Sequence, residues 1–480
     1  MMNLKQKAVS GLKWNSISMV VMTGLQVFTL TALARLLSPS DFGLMGMIMV
    51  VIGFAQSFAD MGISNAIIQH QNTRMDQLSS LYWLNLLSGV TVYIIICVSA
   101  PLVVAFYEEP RLSRMIYLTA LIFLITPLGQ LFQSLMQKEL MFEQLAKIEV
   151  ACSIVNSIVS IVLAYNNFGV YALIWGQLAR TLISVLLLSV RGWNYWQPRF
   201  HFTRSDLDGF LGFGVYQMGE RTVNYLSANI DYLIIGHRMG PAALGYYTLA
   251  YQLAIFPLMK INPVITKVAF PIFSKIQSDN LRLQKGYCRI INIITTVSFP
   301  MMAGLFIVAP EFIDLFLGDQ WLHSIIIVKI LCVVGALKSL GNPVGSIILA
   351  KGKANIGFYF NIVAVTIVSV AVVIGSQWSA TCVAAALLVA QVILFIFLQP
   401  IANNLINLRL SKYMVAIKSP FVCTLVMVAV AYILKAGIHS LNTLMIFALT
   451  VSVGMITYIT VYYFIDKKRS MEFILMVRNN

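Results

Sequence analysis

The chain has 480 residues, of which 59% are apolar and 11% charged, with a formal net charge of +15. Ordinary soluble domains hold roughly 45–50% apolar and about 25% charged residues, so a solvated globular surface cannot be built from this composition. The positive excess calls for no nucleic acid, because it falls in short segments suited to lie against anionic lipid headgroups.

A hydrocarbon core about 30 Å thick takes around 20 helical residues per crossing, which divides the chain into about fourteen spans. They are 14–34, 42–68, 81–105, 115–136, 148–165, 170–190, 207–235, 243–266, 290–309, 325–350, 356–375, 380–398, 414–434 and 441–465. The first follows Lys5, Lys7 and Lys13. It exceeds the apolar stretch of about 7–15 residues in a secretory signal, so it reads as an uncleaved helix despite Ala32-Leu33-Ala34.

Lys and Arg then alternate from gap to gap. Odd gaps hold the three amino-terminal lysines, Arg74, Lys138 and Lys147, Arg191, Arg199 and Arg204, and a run from Lys267 to Arg289. They continue with Lys351 and Lys353, with Arg409, Lys412 and Lys418, and with the tail from Lys467. Even gaps hold Arg35, Arg111, Arg114, Arg238 and Lys435. Basic loops are retained in the cytoplasm, so both termini are expected there and the number of crossings is expected to be even.

The gaps hold little chemistry. Six cysteines are scattered without C-x-x-C spacing and read as small packing residues. The five histidines form no H-E-x-x-H pair, and there is no phosphate-binding P-loop. No metal site, cofactor or catalytic set is expected. An enzyme acting on polysaccharide needs a large extramembrane loop for its catalytic groups, and the longest polar stretch is only 267–289.

A repeat organises the spans. Pro39 to Gly43 leads from the first into the second, and Pro241 to Gly245 from the seventh into the eighth, both reading P-x-x-x-G. Six spans per repeat give two lobes of like orientation, 1–200 and 201–400, with 401–480 as two added spans and a tail. The expected fold is an all-α polytopic membrane protein working by alternating access.

Ionisable groups at bilayer depth cost roughly 2.5–3.5 kcal/mol and mark function by default. The cations are Arg180, Arg221, Lys260, Lys329 and Lys338, and the acids Asp60, Glu220 and Asp231. On the seventh span Glu220, Asn224, Ser227 and Asp231 share one helix face with Gln217. Other polar stripes include Gln26 on the first span, Gln130, Gln133 and Gln137 on the fourth, Gln177 with Arg180 on the sixth, and Lys338 with Asn342 on the tenth. Amide stripes also serve as glue between helices, and Lys329 and Lys260 are near enough to helix ends to snorkel. An excess of buried cations suits an anionic passenger. Substrate contact is therefore expected at Arg180, Arg221, Lys260 and Lys338, and ion coupling or pairing at Asp60, Glu220 and Asp231. Gln26, Gln177, Asn224 and Asn342 are expected to line the cavity. Pro127, Pro257, Pro263, Pro300 and Pro343 fall inside spans as kinks, with hinge and packing roles both open.

Asp60-Met61-Gly62-Ile63-Ser64-Asn65, Tyr82-Trp83-Leu84-Asn85, Met136-Gln137-Lys138-Glu139-Leu140, the run Lys260 to Gln277 and Leu340-Gly341-Asn342-Pro343 together resemble the Wzx-type polysaccharide flippases of the MOP superfamily. Within it they resemble the WzxC-like branch of colanic acid and capsule exporters. The resemblance implies a bacterial inner-membrane carrier that takes an undecaprenyl-diphosphate-linked oligosaccharide to the periplasmic leaflet. Its polyprenyl tail would stay in membrane lipid, and a periplasmic polymerase would act downstream. Export of a drug or of the peptidoglycan lipid precursor, and a membrane polymerase or ligase, are the alternatives.

Overall fold

Hydrocarbon offers the backbone no hydrogen-bond partner, so a chain this apolar must satisfy its own amides turn by turn. The computed structural model describes residues 4–59, 63–69, 73–207, 211–438 and 440–467, and all regular structure among them is helical. In order these are α1 (Leu4–Leu36), α2 (Pro39–Ala59), α3 (Ile63–Gln69), α4 (Met75–Tyr107), α5 (Leu112–Ala120), α6 (Ile122–Lys138), α7 (Phe142–Tyr165) and α8 (Tyr171–Gly192). There follow α9 (Leu211–Lys275), α10 (Asn280–Phe312), α11 (Ser324–Ala350), α12 (Ala354–Gly375), α13 (Ala380–Leu405), α14 (Leu410–Gly437) and α15 (Thr443–Ile465). Twelve helices among the described residues are long and apolar enough to cross a membrane, with α5 and α6 forming one crossing. The 65-residue α9 is two limbs meeting at Gly240, whose φ of 77° lies in the left-handed region open to glycine. With those limbs the fourteen expected crossings are accounted for.

Boundaries differ from expectation in two places that matter. The span expected over 42–68 is divided into α2 and α3, and Asp60 lies outside the described residues. Asp279 caps α10 by accepting from the Leu281 and Arg282 amides, so the helix begins ten residues before the expected start at 290. At the head of α2 the box is reciprocal: the Ser38 amide donates to Asp41 Oδ2 at 2.9 Å, the Asp41 amide donates to Ser38 Oγ at 3.3 Å, and Pro39 occupies the first helical position.

The chain divides into two compact units, Met1–Gly245 and Tyr246–Asn480. In the first, α7 packs on α8 and α1, α8 on α6, and α6 on α4. Small hydroxyls stitch these contacts, as where Thr29 Oγ1 donates to Ser157 Oγ at 2.6 Å. In the second unit α10 packs on α11, α14 and α15, while α13 joins α11 and α12. Its interior is tied by Gln399, which donates to Asn403 Oδ1 at 3.0 Å and pairs with the Tyr287 hydroxyl, and by Asn292, which donates to Ala416 O at 2.8 Å. Cys152, Cys332 and Cys423 are buried, as packing residues should be.

Connectors of one charge class meet at one end. In the first unit Lys138 reaches Thr73, and the 193–207 segment lies along the start of α4. In the second, Lys351 donates to Gln277 O and Asn280 Oδ1, and Gln284 to Ile406 O and Asn407 O. All of these belong to the Lys- and Arg-rich gaps.

The 193–207 segment is strapped down by polar bonds. Ser79 accepts from the Arg199 amide, Ser80 accepts from the Thr203 amide and donates to Asp206 at 2.8 Å, and Trp83 Nε1 donates to Arg199 O. His201 sits 3.0 Å from the Asp206 carboxylate and Arg74 3.8 Å away. The Ser80 hydroxyl first, and then His201 and Arg74, hold the Asp206 carboxyl below the usual carboxylate range. Such a group contributes stability above its unfolded value of about 3.9 and loses it as pH falls through the lower folded value. Melting of the purified protein between pH 7 and pH 3 tests this: Asp206→Asn should lower the midpoint at pH 7 by a few degrees and remove part of the acid-side decline.

Candidate functional site

The expected site residues divide between the units. In the first, Gln26 is exposed on α1, and Gln177 and Arg180 are half-buried one turn apart on α8, near Cys152 of α7. On α9 Asn224 is exposed, whereas Asp231 is buried and accepts from the Tyr232 amide at 3.0 Å. The same limb is held to α2 by Tyr225, whose hydroxyl donates to Met49 O at 2.8 Å. In the second unit Lys338 is half-buried with Nζ 5.5 Å from the Tyr251 ring centre, and Asn342, one turn on, is exposed. Lys329 Nζ is 5.7 Å from the Phe306 ring. The side chains of Glu220, Arg221 and Lys260, like Asp60, lie outside the described residues.

Among the described residues neither Arg180 nor Lys338 forms an ion pair. Lys338 has an aromatic face instead, an attraction of about 0.5–2 kcal/mol. Both sit in apolar helices with no ion pair to a described carboxylate. Gln130 behaves otherwise: it accepts from Asn85 at 3.4 Å and donates to Ser64 at 3.1 Å, joining α4, α6 and α3 as glue.

The second unit also contains a groove that the sequence did not disclose. It encloses about 1300 Å³ between α10, α14 and α15, walled by Ile293, Met301, Leu305, Met427, Met455 and Ile459. Lys285 and Arg289, one turn apart on α10, flank one end and both are exposed. Toward the other end Lys435 of α14 pairs with Glu311 of α10 at 2.6 Å and donates to Ile307 O. Tyr458 donates to Thr296 O at 2.9 Å and Thr296 meets the Tyr462 hydroxyl at 3.3 Å, while the buried Thr450 hydroxyl has no hydrogen-bond partner among the described residues. What remains is an apolar slot with a basic mouth, which suits an amphiphile with an anionic head. The signal for it was Asp279, an N-cap residue ahead of the run, which turns Lys285 and Arg289 from loop residues into helix residues on one face.

The long apolar helices define an all-helical, multi-pass membrane protein fold. That fold recurs in the solved structure of the lipid II flippase MurJ in an inward closed conformation, with TM-score 0.75 at 15% identity over 94% of this chain and 98% of that one. An inward-facing multidrug resistance MATE family transporter of the MOP superfamily aligns with TM-score 0.59 at 15% identity, over 82% of this chain and 98% of that one. Residues 32–326 match the polysaccharide biosynthesis protein family, and the chain belongs to that family. It is 35% identical to the teichuronic acid biosynthesis protein TuaB of Bacillus subtilis (strain 168), over 96% of each chain. It is 33% identical to the lipopolysaccharide biosynthesis protein WzxC of Escherichia coli (strain K12), over 90% of this chain and 88% of that one.

The Lys435–Glu311 pair is largely buried, with side chains 20% and 12% exposed. Removing one partner of such a pair leaves an uncompensated charge, whereas replacing both by apolar groups is close to neutral. Lys435→Met alone should cost about 3 kcal/mol, read as a lower melting temperature in detergent. Lys435→Met with Glu311→Met should restore most of it.

Proposed function

We propose that this protein is a flippase that carries undecaprenyl-diphosphate-linked oligosaccharide repeat units, of the anionic capsule or colanic acid type, across the bacterial inner membrane. It takes them to the periplasmic leaflet by alternating access, with both chain termini in the cytoplasm. The observation that carries this reading is the placement of Arg180 and Lys338 in apolar helices with no carboxylate partner among the described residues. Burying a cation is costly unless something offsets it, and a diphosphate or acidic sugar supplies the missing anion. A cationic drug would be repelled at the same places.

The lipid-linked substrate has two incompatible ends. The sugar and diphosphate need polar and cationic groups through the membrane, for which Arg180 and Lys338, with Gln177, Asn224 and Asn342, are the contacts. Arg221 and Lys260 complete the cationic set by sequence. The polyprenyl tail needs none of these and stays in apolar surroundings, for which the α10–α14–α15 groove is suited in shape and lining. Lys285 and Arg289 then meet the diphosphate at the cytoplasmic mouth. Asp231, buried on α9, and the acids Asp60 and Glu220 are the groups through which a proton or other ion couples to the cycle. The protein performs no covalent step; a periplasmic polymerase consumes what it delivers.

A strain lacking the protein should accumulate lipid-linked repeat units in the cytoplasmic leaflet. Normal delivery with unpolymerised units outside would assign the protein to polymerisation instead. Arg180→Ala and Lys338→Ala should each reduce surface polysaccharide at least tenfold while the protein reaches the membrane at parental levels. Unchanged export in both variants would remove them from the route.

The groove has its own test. A Cβ at Gly304, one of the groove-lining positions, would meet no atom within 4 Å, so the side chain of Gly304→Phe starts in open space at the slot. Export should fall severalfold with the melting temperature retained; parental export would place the tail elsewhere.

A further inference from the structure

The 193–207 segment lies between α8 and α9 and carries more than a linker needs. Five of its fifteen residues are aromatic, Trp193, Tyr195, Trp196, Phe200 and Phe202, against 11% of the whole chain. Trp196 is buried in the core of the first unit, against Tyr82 and Phe132. The other four are exposed, Phe200 to the extent of 97%. Rings left in water are unfavourable, and polar residues would join two helices as well.

Polar bonds to α4 fix where those rings sit. Arg199 is held through its amide by Ser79 and through its carbonyl by Trp83, and Phe200 stacks on the Trp83 ring at 5.3 Å between centres, with 22° between planes. Trp83 lies roughly two turns inside α4, where the apolar span from Leu81 begins. The segment is thus drawn back to the level at which helices leave hydrocarbon, and aromatic rings are favoured there.

The charge on this face has one sign. Arg199 and Arg204 are exposed, as is Arg191 in the last turn of α8, and none of them forms an ion pair among the described residues. The acid of the segment, Asp206, is buried, and Ser80, His201 and Arg74 engage its carboxylate. Asp206 therefore does not offset the arginines outside. Arg74 adds to them, since most of its side chain stays exposed.

We propose that this face, exposed rings flanked by Arg74, Arg191, Arg199 and Arg204, is a docking site for anionic phospholipid headgroups of the cytoplasmic leaflet, the side to which the charge bias assigns it. The rings enter the acyl boundary while the guanidinium groups hold phosphate. Each basic side chain at an anionic surface strengthens binding about fivefold. The rings thus bring the segment to lipid, and the arginines choose which lipid.

Bimane on Phe200→Cys, in a chain with its native cysteines changed to Ala, reports the docking in nanodiscs of equal phosphatidylglycerol and phosphatidylcholine. Quenching with bromine on the phosphatidylglycerol chains should exceed at least threefold that with bromine on the phosphatidylcholine chains. Arg199→Gln with Arg204→Gln should make the two equal while quenching itself persists. No quenching by either lipid would place the ring in water or against protein, and equal quenching with the arginines intact would remove the headgroup preference; either result overturns the proposal. Should the cysteine-free chain not fold, native mass spectrometry of the protein with its own cysteines decides. Phosphatidylglycerol should be retained more than fivefold over phosphatidylcholine, and Arg199→Gln with Arg204→Gln should abolish the excess; an excess unchanged in that variant would put the lipid elsewhere and overturn the site. Neither measurement involves the passenger, so failure here leaves the transport reading standing.

Discussion

Inside a bilayer no water is present to satisfy a polar group, and that one condition sorts almost every polar side chain in this protein. Most find another helix. Thr29 with Ser157, Gln130 between Asn85 and Ser64, and Gln399 among Tyr287 and Asn403 are all bonded across helix contacts. Each such bond is worth about 0.6 kcal/mol on average, so their effect lies in register and choice of neighbour more than in bulk stability. Arg180, Lys329 and Lys338 are charged, half-buried and not ion-paired among the described residues.

The same condition shapes the apolar side. The slot between α10, α14 and α15 pairs Tyr458 and Tyr462 with Thr296 and leaves most of its walls to Met, Ile and Leu. Charge is confined to its ends, by Lys285 and Arg289 at one and by the Lys435–Glu311 pair toward the other. A molecule with a long hydrocarbon tail and a phosphorylated head presents the matching pattern.

Much of the fold was legible in the sequence because its signals are strong and local. Apolar length located the spans, and the parity of Lys and Arg sorted the connectors into two sets that the structure gathers at opposite ends within each unit. The P-x-x-x-G repeat was legible as well. Errors arose where a local signal was weak. The span over 42–68 reads as continuous because nothing charged but Asp60 interrupts it, and the start of α10 was placed late because Arg282, Lys285 and Arg289 looked like loop charges. Among the amide stripes, Gln130 and Gln177 could not be told apart: both sit at helical spacing, and only packing shows that Gln130 joins three helices.

Composition, span length and charge parity by themselves determined an all-helical chain threaded through a membrane with buried cations, because hydrophobic burial and backbone satisfaction depend only on which residues are consecutive. Tertiary structure decided what those residues meet. That Gly43 faces the Pro241 carbonyl, that Lys338 lies over Tyr251, and that three helices leave a slot between them are facts of pairing between segments far apart in the chain. No periodicity in a single segment encodes them, since the free energy of each contact belongs to two surfaces at once.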